Sequence, residues 1–415
     1  MKRLIIVLLL LLIIEYYSYT AFKMGTGRLS PGPQLLLSLL YGILILGELL
    51  SFYFLFQLGS SAVSSGWTSY LVTIAFSIIL GKLLLTVIML LGDLGLVIHK
   101  GLLFIDSLHH SSPLSSTRPV VSRSAFIARL ALVAGGILTA GMIYGISNRY
   151  DYKVHRRRLK FKNLPNAFKG LRIVQLSDIH SGSLGDREAV LRGIEMVNRE
   201  NPDIILFTGD LVNNRADEVS PWTTVFSQLK APMGVYAVLG NHDYGDYVHW
   251  PSPEAKQQNL TRLKATEAHM GWKMLNNEHV ILQKENEQIA LIGVENWGAK
   301  GHFSQYGNLD QAMKGLEKQP IPFKLLMSHD PSHWDAQVRR EYPDIDLTLS
   351  GHTHGMQFGI EIPGIKWSPV QYMYKEWAGL YKNKTQYLYV NRGFGFIGYQ
   401  GRLGILPEIT VLELS

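Results

Sequence analysis

Long apolar segments fill the first third of this 415-residue chain, and they constrain its fold more than any other feature. We predict membrane-spanning helices over residues 4–20, 35–56, 67–91 and 126–146, because about 20 apolar residues in a helix cross a hydrocarbon core of ~30 Å. The first run alone could be the core of a signal peptide, but no small-residue cleavage site follows it. Lys82 and Asp93 blur the third boundary, so the stretch 83–105 could form a fifth span. Residues 1–150 are therefore predicted to be a multi-pass, all-α transmembrane region.

Two charged residues, Glu48 and Lys82, lie within the predicted spans. A charge in hydrocarbon is costly and often functional. A charge that pairs inside the helix bundle, or that reaches the interface along its own apolar stem, needs no further role. Since no motif accompanies these two residues, we favour the structural interpretation.

The distribution of basic residues predicts the orientation of the chain. The net charge is +7, and the most basic segment, NRYDYKVHRRRLKFK, directly follows the last span. We predict that residues 151–162 form a basic linker and that the large C-terminal domain is cytoplasmic, because lysine and arginine are enriched on that side. The loop 57–67 lacks basic residues, but the loop 100–123 contains some, and a fifth span would reverse one end.

The position of the basic residues also predicts the partner of this chain. They cluster beside apolar segments, which favours the lipid bilayer, and we expect no binding of nucleic acid. Arg156–Arg158 are most simply an orientation signal, and binding to anionic lipid headgroups is the alternative.

Five apolar runs in the remainder of the chain each end in polar residues. Short apolar runs alternate there with polar, helix-compatible stretches, which predicts an α/β domain over residues 163–415. The five runs end in LSDIH, FTGD, LGNHD, MSHD and LSGHTH. Any one of these ends could be an ordinary turn or helix cap. Five together predict a shared site, because ligands bind at the carboxyl ends of strands in α/β sheets.

The residues at these ends suit divalent metal ions. Imidazole with carboxylate and amide oxygen favours Mn, Fe or Zn, and the absence of cysteine excludes thiolate sites and disulfides. In an extended segment residues i and i+2 face the same way, and a preceding glycine allows a sharp turn. Seven ligands are too many for one tetrahedral site and fit two adjoining sites. The candidate ligands are Asp178, His180, Asp210, Asn241, His329, His352 and His354.

The blocks DIH, GD, GNHD, SHD and GHTH occur in the order typical of the calcineurin-like metallophosphoesterases, which this chain closely resembles. The GVENWG stretch and the glycine-rich C-terminal run resemble the branch of transmembrane proteins with a metallophosphoesterase domain. The resemblance implies an α/β/β/α sandwich with the metals at one sheet edge. The ligand sets that it implies are Asp178, His180, Asp210 and His354 for one ion and Asp210, Asn241, His329 and His352 for the other.

The resemblance also implies catalytic roles. His242 would contact the phosphate and stabilise or protonate the leaving oxygen, and Asp243 would orient His242. Two divalent ions, manganese in preference to iron or zinc, would supply the attacking hydroxide. Arg392 and Arg402 are candidates for contacts with an anionic substrate, and the alternative is that they are ordinary surface arginines in turns.

The expected activity is that of a membrane-anchored phosphohydrolase acting on phosphodiester or pyrophosphate bonds. A lipid-linked substrate such as UDP-2,3-diacylglucosamine, which relatives in this branch cleave, is one candidate. The alternatives are a phosphomonoesterase or protein-phosphatase-like regulator, and a catalytically silent membrane scaffold with this fold. The complete ligand set and His242 favour an enzyme, and the oligomeric state stays open.

Overall fold

The chain forms a helical unit and an α/β unit, and the computed structural model describes residues 2–59, 66–109, 121–301 and 303–415. The α-helices are α1 Lys2–Thr26, α2 Pro31–Leu58, α3 Trp67–His109, α4 Val121–Gly145, α5 Arg187–Arg199, α6 Thr223–Phe226, α7 Pro253–His269, α8 Leu309–Met313 and α9 Arg339–Glu341. The strands are β1 Lys153–Leu159, β2 Arg172–Leu176, β3 Ile204–Phe207, β4 Val235–Ala237, β5 Trp272–Met274, β6 Glu278–Lys284, β7 Glu287–Gly293, β8 Lys324–Met327, β9 Leu347–Ser350, β10 Ile360–Ile362, β11 Ile365–Trp367, β12 Gly379–Asn383, β13 Gln386–Val390 and β14 Glu408–Leu414.

The helical unit contains four helices that are long and apolar enough to cross a membrane. The candidate spans within the described ranges are Ile6–Thr26, Pro31–Leu58, Trp67–Asp106 and Ala125–Tyr150. Four spans agree with the prediction, although each helix is longer than its predicted span. The chain is therefore a membrane protein.

The third helix shows the largest difference from its predicted span of residues 67–91. Helix α3 has 43 residues, so at ~1.5 Å per residue it is about 65 Å long, roughly twice a hydrocarbon core. Asp93 does not end it, and the hydroxyl of Tyr17 donates to this carboxylate at 3.1 Å. Because α3 runs unbroken through residues 83–105, that stretch is not a separate fifth span. Residues 60–65 and 110–120, which belong to the two loops used to predict the orientation, lie outside the described residues.

A buried charge cluster joins three helices of this unit. The ammonium nitrogen of Lys82 lies 2.7 Å from a carboxylate oxygen of Glu15 and 3.0 Å from one of Glu48. The hydroxyl of Tyr41 donates to the other oxygen of Glu15 at 2.6 Å. This arrangement confirms the structural interpretation of Glu48 and Lys82 as a pair inside the bundle.

The α/β unit is a sandwich of two six-stranded sheets. The strand orders are β1-β14-β2-β3-β4-β5 and β12-β13-β9-β8-β7-β6. Alternate residues of β2 face opposite ways: Ile173 joins the core between the sheets, and Val174 joins the outer core that includes Val190 and Ile194 of α5. A third core, with Leu309 of α8, covers the outer face of the second sheet. These layers confirm the predicted α/β/β/α architecture.

The segment predicted as a basic linker, residues 151–162, instead contains an edge strand. All seven residues of β1 pair in parallel with β14, from Lys153 opposite Glu408 to Leu159 opposite Leu414. Arg156 forms an ion pair with Glu200 at 2.5 Å, and Arg158 forms one with Glu413 at 2.6 Å. Charged side chains on an edge strand discourage pairing with another chain. The basic run therefore has a structural role that the local sequence does not reveal.

The buried ion cluster leads to a test of the helical unit. In Lys82→Met, the buried Glu48 and the half-buried Glu15 lose their cation, so we expect a loss of about 3–5 kcal/mol of stability, most of it from Glu48. The measurement is the thermal unfolding midpoint of the full chain in detergent, with Lys100→Met on the exposed side of α3 as control. Adding Glu48→Leu to Lys82→Met should restore part of the midpoint. Equal midpoints for Lys82→Met and the control would contradict the assignment.

Candidate metal centre

Two groups of metal-binding side chains lie at the carboxyl ends of strands from both sheets. The first cluster is Asp178, His180 and His354, and the second cluster is Asp210, His329 and His352. Within each cluster one potential ligand atom per residue lies within 4.8 Å of the others. Ends of β2 and β9 supply the first cluster, and ends of β3, β8 and β9 supply the second. His352 and His354 thus belong to different clusters.

The first cluster is compact and buried. The Nε2 atoms of His180 and His354 are 3.0 Å apart, and His354 Nε2 is 3.2 Å from Asp178 Oδ1. When two imidazoles face each other through their Nε2 atoms, at most one proton lies between them. At least one Nε2 lone pair is then directed into the space that the carboxylate of Asp178 also faces. Such a group of electron-pair donors is the environment that a divalent cation requires.

The second cluster includes an amide oxygen. His329 Nε2 lies 3.1 Å from Asp210 Oδ2 and 3.3 Å from His352 Nδ1. The Oδ1 atom of Asn241, at the end of β4, lies 2.8 Å from His352 Nδ1 and 3.2 Å from His329 Nε2. All seven predicted ligands are therefore brought together. The donor set of imidazole, carboxylate and amide fits two divalent cations.

Asp210, a member of the second cluster, also approaches the first cluster. Its Oδ2 atom is 3.1 Å from His329 Nε2 and 3.7 Å from His180 Nε2. Its Oδ1 atom accepts the backbone N–H of His242 at 2.9 Å. One carboxylate oxygen is thus held by the backbone, and the other faces both clusters.

Most of the ligand residues have a left-handed backbone. The φ angles are positive at Asp178, His180, Asp210, His352 and His354, with values from 49° to 72°. Such a conformation costs a non-glycine residue about 1–3 kcal/mol and is concentrated at functional sites. The expected extended geometry for Asp-x-His and His-x-His is therefore wrong, and the ligands face the clusters because the backbone turns at each of them.

The glycines in these blocks serve two purposes. Gly209 has a φ of +96° and provides the turn before Asp210, as predicted. Gly240 and Gly351 instead allow close approach. A Cβ on Gly240 would lie 2.2 Å from Asp210 Oδ1, and one on Gly351 would lie 1.9 Å from Ser177 Oγ. A side chain at either position would displace the site.

Contacts behind the ligands orient their rings. His329 Nδ1 donates to the carbonyl of Thr208 at 2.7 Å, which leaves Nε2 for the cluster. The hydroxyl of Tyr374 lies 3.0 Å from His352 Nε2 and 3.3 Å from Asp330 Oδ2. Neither Tyr374 nor Asp330 was predicted from the sequence. Asp330 is the last residue of the SHD block and could have been found there, whereas no local signal marks Tyr374.

His242 is positioned differently from the arrangement that the resemblance implies. Its Nδ1 atom donates to the carbonyl of Asn213 at 2.7 Å, and the centroid of its ring lies 5.0 Å from the centroid of the His180 ring. The carboxylate of Asp243 accepts four backbone N–H groups, those of Asp210, Leu211, Val212 and Gly240, at 2.8–3.2 Å. Among the hydrogen bonds of the described residues, none joins Asp243 to the ring of His242. Asp243 therefore fixes two ligand-bearing loops, and Asn213 orients His242.

The two candidate arginines are buried and paired within the protein. Arg392 forms ion pairs with Glu408 at 2.5 Å and with Glu361 at 2.6 Å. Arg402 is fully buried and donates to the carbonyls of Arg392 at 2.7 Å and Gly393 at 3.2 Å. They are not surface residues, and the prediction that they contact substrate finds no support in these contacts.

The electrostatics of the site favour a cation. Burial lowers the pKa of His180 and His352, so these rings are neutral ligands. Burial would also lower the pKa of His329, but the carboxylate of Asp210 overrides this effect and raises it to about 10. Burial would raise the pKa of Asp210, yet His329 and His242 hold it well below its usual range. A metal ion bound at His329 would displace a proton from the ring.

The two units of the chain match two family models. Residues 171–356 match "Calcineurin-like phosphoesterase", and residues 1–149 match "Probable Calcineurin-like phosphoesterase, transmembrane domain". The chain belongs to the calcineurin-like phosphoesterases. Members of this family are metal-dependent hydrolases of phosphoester bonds, and the two clusters provide candidate ligands for such metals.

Relatives of this calcineurin-like phosphoesterase occur in vertebrates and bacteria. It is 30% identical over 284 residues to "Transmembrane protein with metallophosphoesterase domain" of Danio rerio, covering 66% of this chain and 60% of the relative. The Bos taurus protein of the same description is 31% identical over 264 residues, covering 61% and 54%. "Uncharacterized metallophosphoesterase YkuE" of Bacillus subtilis is 29% identical over 288 residues, covering 67% and 91%. The aligned region thus spans less than two thirds of either vertebrate relative.

The contact between Tyr374 and His352 yields a prediction for metal affinity. Tyr374→Phe removes the hydroxyl that orients the ring, and loss of such a partner typically weakens metal binding about 10–100-fold. Calorimetric titration of the metal-stripped full chain with Mn²⁺ measures the effect. Tyr372→Phe, whose side chain is 80% exposed, is the matched control. Unchanged Mn²⁺ affinity in Tyr374→Phe would show that the hydroxyl does not support the second cluster.

Proposed function

We propose that this protein is a membrane-anchored phosphohydrolase that uses two divalent metal ions to cleave phosphodiester or pyrophosphate bonds. The observation that carries the proposal is the position of Asp210 Oδ2, which faces His180 of one cluster and His329 of the other. A shared carboxylate is what a pair of adjoining metal sites requires. The preferred metal is manganese, with iron or zinc as alternatives.

The seven ligands would hold the two ions in the sets that the clusters suggest. Asp178, His180 and His354 would bind one ion, His329, His352 and Asn241 the other, and Asp210 would bridge. When bound, such a pair activates water as a nucleophile and neutralises charge on the phosphate oxygens. The backbone amide of His242 assists by holding Asp210 Oδ1, so that the bridging oxygen keeps its direction.

His242 is the proposed general acid. The carbonyl of Asn213 fixes its Nδ1–H, so Nε2 is the atom that can exchange a proton with a substrate. The ring is only partly buried and stands edge-on to the ring of His180, 5.0 Å away. From this position a protonated His242 would donate to the leaving oxygen as the bond to phosphorus breaks.

Asp243 is a positioning residue in this proposal. It binds the amides of Asp210 and Gly240, which lie on loops after β3 and β4. These loops carry Asp210 and Asn241, the ligands that must stay in register with the second sheet. The carboxylate therefore maintains the site without touching a substrate.

The substrate proposal rests on membrane attachment. The same chain carries four candidate spans and the phosphoesterase domain, which favours a lipid-linked phosphodiester or pyrophosphate such as UDP-2,3-diacylglucosamine.

We place the catalytic domain in the cytoplasm because the most basic segment of the chain directly follows the last span. A phosphomonoesterase or protein-phosphatase-like regulator is the second candidate, since the same ligands would serve it. A catalytically silent scaffold would not need seven converging ligands.

Asp210→Asn tests the two-metal proposal. The change keeps the size of the side chain but removes the charge shared by the clusters, so hydrolysis should fall at least about 10³-fold. The assay is turnover of bis(4-nitrophenyl) phosphate by the detergent-purified full chain with Mn²⁺, together with metal content. Asp217→Asn, at an exposed position nearby, should behave like the wild type. Near-normal turnover by a folded Asp210→Asn protein would contradict the proposal.

His242→Ala tests the role of the imidazole in leaving-group protonation. An alkoxide leaving group needs a proton, whereas 4-nitrophenolate leaves readily without one. We therefore expect a fall in kcat of about 10²-fold or more for an alkyl phosphodiester and a smaller fall for the nitrophenyl ester. Equal falls for both substrates, with metal content unchanged, would argue that His242 binds phosphate and is not the acid.

A further inference from the structure

Exposed apolar side chains of the α/β unit concentrate in one short segment. Nine large hydrophobic residues are exposed among the described residues from 146 onward, and seven of them lie between residues 356 and 380. The seven are Met356, Ile360, Ile362, Ile365, Tyr372, Met373 and Leu380. Scattered exposed hydrophobic residues are normal, but such concentration marks an interaction surface.

The centre of this segment is the hairpin of β10 and β11, joined by Pro363 and Gly364. Its register pairs Ile360 with Trp367, Glu361 with Lys366, and Ile362 with Ile365. Directly paired residues point to the same face of a hairpin, and successive residues alternate. One face therefore carries only apolar side chains, and the other carries the two charges. We call the first the apolar hairpin face, defined by Ile360, Ile362, Ile365 and Trp367.

The charged face of the hairpin is the one turned toward the protein. Glu361 forms an ion pair at 2.6 Å with Arg392, which is buried. The ammonium group of Lys366 donates to the carbonyl of Ala378 and lies 4.5 Å from the ring centroid of Trp377. Ile362 and Ile365, on the other face, are 55% and 54% exposed. A strand pair beside water normally has the reverse arrangement, with apolar residues inward.

The hairpin is continuous with the candidate metal centre. Its first strand begins six residues after His354, and Ser368, just past its second strand, donates to the carbonyl of Gly355 at 2.7 Å. The following residues return to the site, where the hydroxyl of Tyr374 lies 3.0 Å from His352 Nε2. An apolar medium that covered the hairpin would therefore lie close to the candidate metal ligands.

We propose that the apolar hairpin face docks on the lipid bilayer at the boundary between headgroups and hydrocarbon. This orientation gives the isoleucines of the inverted hairpin an apolar environment, while the half-buried Glu361 keeps its ion pair with Arg392 and the exposed Lys366 keeps its hydrogen bond to Ala378. The chain already carries four candidate membrane spans, so a bilayer is part of its surroundings. Tyr372, which is 80% exposed, and the exposed Lys375 flank the face with side chains that favour the interface.

Docking there identifies the substrate class as a phosphoester carried by a bilayer lipid, and this part rests on the proposed function. The headgroup of such a lipid would enter the site while its hydrocarbon remained in the bilayer beside Ile362 and Ile365. Substrate would then be taken from the membrane without full transfer through water.

The absence of cysteine from the natural chain allows a direct test by site-specific labelling. Ile362→Cys is labelled with a nitrobenzoxadiazole fluorophore in the full chain, reconstituted in phosphatidylcholine vesicles with or without nitroxide-labelled lipid. Gln283→Cys, on the exposed hairpin of β6 and β7, is the matched control. We expect blue-shifted emission and quenching by the nitroxide lipid at position 362, and water-like, unquenched emission at position 283.

Water-like, unquenched emission at position 362 would overturn the proposal. A blue shift without nitroxide quenching would also overturn it, because protein, such as a second copy of this chain, would then cover the face. The labelling does not depend on hydrolysis, so it decides docking even if the phosphohydrolase proposal fails.

A double variant, Ile362→Glu with Ile365→Glu, tests the substrate class. We compare turnover of a long-chain lipid phosphodiester with turnover of a soluble phosphodiester, and the double variant should lower this ratio at least tenfold. An unchanged ratio would reject the lipid substrate.

Discussion

The carboxylate of Asp210 is the contact on which the rest of the site depends. Its Oδ2 atom faces His180, which follows the neighbouring strand of the first sheet, and His329, which follows a strand of the second sheet. The two clusters can share this ligand only if the carboxyl ends of both sheets meet at a fixed separation. The core between the sheets sets that separation through fully buried side chains such as Ile173, Leu206 and Met327.

The sandwich also explains how the ligands can adopt an unfavourable backbone. Five of them have positive φ, a conformation that costs about 1–3 kcal/mol each and persists where the surrounding structure holds it. Here backbone hydrogen bonds fix the turns, among them Asp178 N–H to Gly209 C=O at 2.8 Å and His180 N–H to Asp210 C=O at 3.1 Å. Asp243 adds four more acceptor contacts to the same loops. The stability of the fold is thus partly used to hold the ligands in place.

Features that depend on local sequence were predictable, and features that depend on distant contacts were not. Apolar length marked the four candidate spans, and polar strand ends marked the seven candidate ligands. The strand β1 looked like a linker because its partner, β14, lies some 250 residues away in the sequence. The resemblance implied that Asp243 orients His242, yet the carboxylate of Asp243 accepts a backbone N–H of the loop that carries Asp210. The orientation of the hairpin of β10 and β11 could not be predicted for the same reason. Glu361 turns inward because it pairs with Arg392, which is distant from it in the sequence.

Electron paramagnetic resonance of the Mn²⁺-loaded full chain shows whether two ions share the carboxylate of Asp210. Two manganese ions bridged by one carboxylate are magnetically coupled, so we expect two ions per chain and the spectrum of a coupled pair. An isolated six-line Mn²⁺ signal with one ion per chain, or two uncoupled ions, would contradict it.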